Sequence, residues 1–91
     1  SGASHKGVCC VLRGHLCERT QFAVITSRKV SPRAVVRNRV RRRVYAKLHT
    51  LAQKFTRPYC GIVICKPHIV SCAVRELDEE LTMLLKKAGA F

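Results

Sequence analysis

Ala34-Val35-Val36-Arg37-Asn38-Arg39-Val40-Arg41-Arg42-Arg43-Val44-Tyr45-Ala46-Lys47-Leu48-His49-Thr50-Leu51 carries two patterns at once. Val36, Val40, Val44, Leu48 and Leu51 recur at spacings of four, four, four and three. At 3.6 residues per turn they form one apolar stripe, so the spacing predicts a helix over roughly 33–54. Asn38, Arg39, Arg42 and Arg43 gather on the opposite side, while Arg37 and Arg41 flank the stripe. One face of this helix is built to pack and the other to present guanidiniums. Ser31-Pro32 marks its start: Ser31 reads as the N-cap, and Pro32 as the first helical residue, where a missing N–H costs nothing.

Outward from this helix the apolar runs shorten. Val8-Cys9-Cys10-Val11-Leu12 and Gln21-Phe22-Ala23-Val24-Ile25-Thr26-Ser27 read as strands. Arg13 to Thr20 is polar and turn-like, so the two strands are expected to form an antiparallel pair. Downstream, Gly61-Ile62-Val63-Ile64-Cys65 is almost wholly apolar, which predicts a central strand covered on both faces. Ser71 reads as the N-cap of a last helix over about 72–88, with the stripe Val74, Leu77, Leu81, Leu84 and Leu85 and a stop at Gly89. The order β-β-α-β-α describes one α+β domain over residues 1–91, a small sheet with two helices. The start Ser1-Gly2-Ala3, without Met, reads as a tag remnant or a trimmed beginning. Residues 1–7 are expected to be tag or disordered.

The charge narrows the function. Eighteen Lys and Arg stand against five Asp and Glu, a formal charge of +13 and a pI near 10.3. Residues 1–75 hold 16 basic side chains against Glu18 alone, and nine of these lie between Arg28 and Lys47. So many like charges in 20 residues repel one another unless an anion compensates them, which points to nucleic acid. With 47% hydrophobic residues the chain can build a core and is no disordered basic tail. No apolar run reaches membrane-spanning length, and no signal-peptide core is visible.

For protein-based catalysis the inventory is thin. Four of the five acids, Glu76, Asp78, Glu79 and Glu80, fall in the last helix, where charge balance and the helix dipole account for them. A two-carboxylate hydrolase site is not supported, and no Walker loop or GxGxxG is present. His5, His15, His49 and His68 are scattered. The six cysteines, Cys9, Cys10, Cys17, Cys60, Cys65 and Cys72, include no CxxC pair; His15-Leu16-Cys17 has ligating neighbours but no second pair to complete a zinc site. They read as reduced, buried small hydrophobes, with no metal and no catalytic residue assigned. Aromatics are few, so phosphate and shape recognition fit better than base-stacking strands.

Phe22 to Val30, followed by Ala34 to Val44 with its Arg37-Asn38-Arg39 signature, resembles the bacterial ribonuclease P protein subunit family. Ile62 to Pro67 and Glu76 to Leu85 resemble the family's later strand and last helix, so the likeness covers roughly residues 8–89. It implies a split β-α-β sandwich with a left-handed crossover. It also implies a cytoplasmic bacterial protein that binds a catalytic RNA and helps it remove the 5′ leader of precursor tRNA. In that enzyme the RNA, with its own bound Mg2+, performs phosphodiester hydrolysis and the protein alone is inactive. By position, Arg37, Asn38, Arg39, Arg41, Arg42 and Arg43 would face the catalytic RNA. Ser27, Arg28, Lys29, Arg33 and Lys66 would meet the leader. Tyr45 stands where the family usually has a basic residue, Ser31-Pro32-Arg33 replaces the usual approach to the helix, and the family's first helix has no counterpart before Val8. The rival readings are a non-catalytic protein of another ribonucleoprotein, such as a ribosome-associated protein, and a DNA-binding architectural protein.

Overall fold

A computed structural model describes residues 3–91. Its elements run β1 (Ala3–Lys6), β2 (Cys10–Leu16), β3 (Gln21–Ile25), α1 (Ala34–Ala52), β4 (Tyr59–Cys65), a 3-10 turn (Pro67–Val70) and α2 (Val74–Lys87). The four strands form one sheet in the order β1-β2-β4-β3. The β2 strand lies antiparallel to β4, with Cys10 opposite Cys65 and Leu16 opposite Tyr59. The β3 strand lies parallel to β4, from Gln21 opposite Cys60 to Ile25 opposite Ile64. The expected β2–β3 hairpin is therefore corrected: β4 is inserted between the two. After β3 the chain crosses over through α1 and returns in the same direction, which makes β4 parallel to β3 and splits the consecutive strands apart.

One expectation about the beginning also changes. Ser1 and Gly2 lie outside the described residues, but Ala3–Lys6 is an ordered strand. It pairs antiparallel with β2, Ala3 opposite Gly14 and Lys6 opposite Val11. Such a polar stretch has little reason to be a strand alone. The β2 edge supplies its hydrogen-bond partners, and Gly7 N–H donates to the Cys10 carbonyl at 2.8 Å to close the turn. A side chain at Gly7 would run into the Glu80 carboxylate and could be fitted only by displacing it from its backbone donors.

Both helices cover the same side of the sheet. Val40, Val44, Leu48 and Leu51 of α1 join Leu77, Leu81, Leu84 and Leu85 of α2 over Leu12, Val24, Tyr59 and Val63 in one core. Two stripe members fall short: Val36 is half-buried and Val74, the first residue of α2, is exposed. The expectation of a doubly covered central strand fails for a related reason. β4 is central, but alternate residues point away from the helices and Ile62 is 41% exposed. Apolar content alone could not tell a covered face from a bare one.

The helix caps also lie two residues beyond the expected ones. The N-cap of α1 is Arg33, and that of α2 is Ala73. Ser31 Oγ instead accepts from the Arg33 N–H at 3.2 Å, a local turn that carries the chain into the helix. At the other end Gly89 takes φ 87°, the left-handed conformation that closes α2 as expected. The all-reduced expectation is corrected too: Cys17 and Cys60 form a disulfide between the β2–β3 loop and β4. Their separation of 43 residues hid the pairing, which only the strand order creates. No helix among the described residues is long and apolar enough to cross a membrane.

A candidate nucleic-acid interface

The arginines of α1 divide into two groups. Asn38, Arg39 and Arg42 are exposed, and Arg43 is half-buried. Among the described residues none of these arginines meets a carboxylate; the ion pairs are Lys47–Asp78, His68–Glu76 and Arg75–Glu79. Arg37 and Arg41 are used internally as well. Arg37 Nη1 donates to the Ser31 carbonyl at 2.9 Å, and Arg41 Nη2 donates to Thr26 Oγ1 at 3.0 Å. These bonds tie the first turns of α1 to the loop that leaves β3. Arg41 also lies near Cys65, whose thiol burial pushes up to about 11, with Arg41 acting in the opposite sense. The expected set of six thus resolves into a free face of four and two flanking arginines that orient it.

The second expected set gathers at one end of the sheet. Because β3 and β4 run parallel, their carboxyl ends lie side by side, and α1 begins there. Ser27, Arg28, Lys29 and Arg33 are all exposed on the intervening loop. Ser27 Oγ accepts from the Lys29 N–H at 3.2 Å and shapes its turn. Lys66 departs from the expectation in one respect. Its Nζ donates to the Gly7 carbonyl at 2.8 Å, so it also fastens the β1–β2 turn. The α1 amino terminus carries no acid in its first turn, which leaves the positive end of the helix dipole added to these cations.

The bare face of the sheet is a feature that sequence reading missed. Ser4, Arg13, His15, Gln21, Ala23 and Ile62 line a shallow concavity of about 670 Å³. Arg13 and His15 belong to β2 and not to the turn that the sequence predicts over Arg13 to Thr20. The signal was present in the alternation of buried Cys10 and Leu12 with exposed Arg13 and His15. Phe22, half-buried, packs against Phe55 and Tyr59 with ring centroids 6.1 Å away in each case, beneath this face. Tyr45, the departure noted in the helix, receives the Val24 N–H at 3.2 Å and so satisfies a donor on the outer edge of β3.

The acids are structural, and one is central. Glu80 accepts from the N–H groups of Val8, Cys9 and Cys10 at 2.8–3.1 Å and from Cys10 Sγ at 3.3 Å. Charge balance on α2 therefore does not account for Glu80; it anchors the segment after β1. Burial, followed by the Cys72 hydrogen bond and the Glu80 charge, pushes the Cys9 thiol up to about 12. Cys9, Cys72 and Glu76 place three ligating atoms within 4.8 Å of one another, a grouping hidden by their separation in sequence.

The chain matches known proteins in sequence and in fold. A model of the ribonuclease P family matches residues 2–89. The ribonuclease P protein component of Microcystis aeruginosa is 36% identical over 70 residues, covering 77% of this chain and 58% of that relative. That of Rippkaea orientalis is 39% identical over 70 residues, covering 76% and 54%. The chain thus spans little more than half the length of these curated relatives. In three dimensions it is similar to the RNase P protein of Staphylococcus aureus, with a TM-score of 0.85 at 19% identity over 99% of this chain and 84% of that one. The RNase P protein of Thermotoga maritima gives 0.82 at 18% identity, over 96% and 84%. These two likenesses concern the fold: a four-stranded sheet with two helices on an α+β plan. With the match along nearly its whole length, the chain belongs to the ribonuclease P protein family.

Proposed function

We propose that this chain is the RNA-binding protein subunit of ribonuclease P, acting in the cytoplasm with a catalytic RNA that removes the 5′ leader of precursor tRNA. The observation that carries this reading is the α1 face of Asn38, Arg39, Arg42 and Arg43, which has no acidic partner among the described residues. Arginine grips phosphate oxygens with a planar fork of donors, and a row of them on one rigid helix holds a folded backbone in register. Arg37 and Arg41, braced by Ser31 and Thr26, stiffen that helix and add charge at its flank.

The leader would cross the sheet's carboxyl end, where Arg28, Lys29 and Arg33 project, and continue over the bare face past Arg13 and His15. Ser27 shapes the turn, and Lys66 contributes charge while holding Gly7. Bond cleavage belongs, in this reading, to the RNA and its Mg2+. Among the described residues, the one cluster of three ligating side chains does not fit that ion. Mg2+ asks for an octahedron of oxygens, whereas Glu76 shares its cluster with two thiols, and Glu80 is occupied by backbone donors.

The test is reconstitution with a bacterial ribonuclease P RNA and a precursor tRNA. The chain should accelerate leader removal at low Mg2+, and the Arg39→Ala/Arg42→Ala/Arg43→Ala variant should lose that effect. Cleavage by the protein without RNA, or equal stimulation by the variant, would refute the assignment.

A further inference from the structure

We propose that Cys9, Cys72 and Glu76, completed by His68, form a binding site for one zinc ion. Three donors from two distant parts of the chain converge there. Cys9 comes from the turn before β2, Cys72 from the loop before α2, and Glu76 from the first turn of α2. Their ligating atoms lie within 4.8 Å of one another. Zinc–sulfur bonds of about 2.3 Å put tetrahedral sulfur ligands about 3.8 Å apart, so the required contraction is at most about 1 Å. His68 Nε2 stands 3.3 Å from Glu76 Oε2 but outside the grouping of the other three, so its exposed ring must swing inward to supply the fourth ligand. His68, Cys72 and Glu76 follow one another at intervals of four residues through the 3-10 turn and into α2.

The backbone around the sulfurs is already fixed. The Cys9 N–H donates to Glu80, and the Cys9 carbonyl accepts from the Lys66 N–H at 2.8 Å. The Cys72 N–H donates to the His68 carbonyl at 3.0 Å. Both thiols are buried, whereas the His68 and Glu76 side chains are 46% and 53% exposed. The cluster thus has a dry, sulfur-lined floor and an open polar mouth by which an ion can enter. Two thiols, an imidazole and a carboxylate suit zinc, a borderline-soft ion with no geometric demand of its own, and not the hard ions Mg2+ or Ca2+. Loading replaces the two thiol protons with the metal, and two protons leave to solvent. The bound ion would rivet the β1–β2 turn to the start of α2. This site is independent of the arginine face.

The experiment uses the whole chain, reduced, freed of metal and titrated with Zn2+, with Co2+ as the spectroscopic probe. Native mass spectrometry should show one zinc per wild-type chain. Co2+ should give a thiolate charge-transfer band and the visible bands of a tetrahedral site. Glu76→Gln and His68→Ala, both at exposed positions, should each weaken binding about tenfold or more. Cys72→Ala should abolish the thiolate band, while Cys17→Ser/Cys60→Ser, at the other end of β4, should retain it. Zinc should also raise the melting temperature of the wild type, and at equal zinc raise that of Glu76→Gln by less. Absence of the cobalt–thiolate band in the reduced wild type would overturn the proposal. Undiminished zinc uptake by Cys72→Ala or Glu76→Gln would do the same.

Discussion

Salt dependence offers the most direct test of which arginines meet RNA. Each phosphate contact releases condensed counterions and adds about 0.7–0.9 to the slope of log K against log salt. Arg39, Arg42 and Arg43 have no carboxylate partner among the described residues, so their full charge is available to phosphate. Replacing all three by Ala should lower the slope by about 2–3. Between 50 and 200 mM salt, the fourfold span over which such slopes are compared, the wild type should lose about 20–40-fold more affinity than the variant. The assay is a filter-binding or fluorescence titration with ribonuclease P RNA at several salt concentrations. Arg75→Ala is the matched control. It also removes an exposed arginine, but from α2 and from an ion pair with Glu79, and should leave the slope unchanged. A triple variant with the wild-type slope, or an Arg75 variant with the larger change, would refute the placement of the RNA on α1.

Other perturbations probe the frame that holds this face. Glu80→Ala strands the N–H groups of Val8, Cys9 and Cys10, and should cost about 3 kcal/mol or more in urea unfolding; a loss below about 1 kcal/mol would show that water replaces the carboxylate. Tyr45→Phe removes only the acceptor for Val24, so stability should fall by about 1 kcal/mol while RNA affinity stays the same. Breaking Cys17–Cys60 frees a 43-residue loop in the unfolded chain, and reductant should lower stability by up to about 4 kcal/mol, with no effect on a Cys17→Ser/Cys60→Ser variant. Burial pushes the Cys10 thiol up and the Cys65 thiol up to about 11, so near neutral pH both should resist alkylation until denaturant is added.

Which features were legible in the sequence follows from the range of the forces that set them. The α1 stripe is a local repeat of 3.6 residues, and four of its five positions, Val40, Val44, Leu48 and Leu51, are buried as read. Gly89 closes α2 because left-handed backbone is a single-residue property. Strand β1 has no such local signature; Ala3-Ser4-His5-Lys6 becomes a strand because β2 offers an edge and Glu80 holds the turn that follows. The position of β4 between β2 and β3 depends on the crossover through α1, which no dipeptide or period encodes. The wheel set Arg37 and Arg41 beside the stripe, apart from Arg39 and Arg42, but it shows only angles and not what holds each side chain. Ser31 and Thr26, which take two of them up, lie in the loop that the wheel does not contain.

The same separation of ranges explains how a chain of charge +13 folds at all. Self-repulsion among cations opposes compaction, and with only five acids it cannot be neutralised everywhere. The acids on α2 are placed where each does structural work. Asp78 meets Lys47 at 3.9 Å, in the carboxyl-terminal half of α1, and so relieves repulsion where that helix lies near α2. Glu79 and Glu76 pair with Arg75 and His68 on α2's own side of the molecule. Glu80 is taken up by backbone donors and neutralises no arginine of α1. The amino-terminal half of α1 and the loop before it are left with their charge intact, and the apolar contacts of Val40, Val44 and the α2 leucines must hold that region against its own field. Polyanion binding then removes repulsion as well as adding contacts. RNA should therefore stabilise the fold most at low ionic strength, where the unscreened repulsion it relieves is greatest.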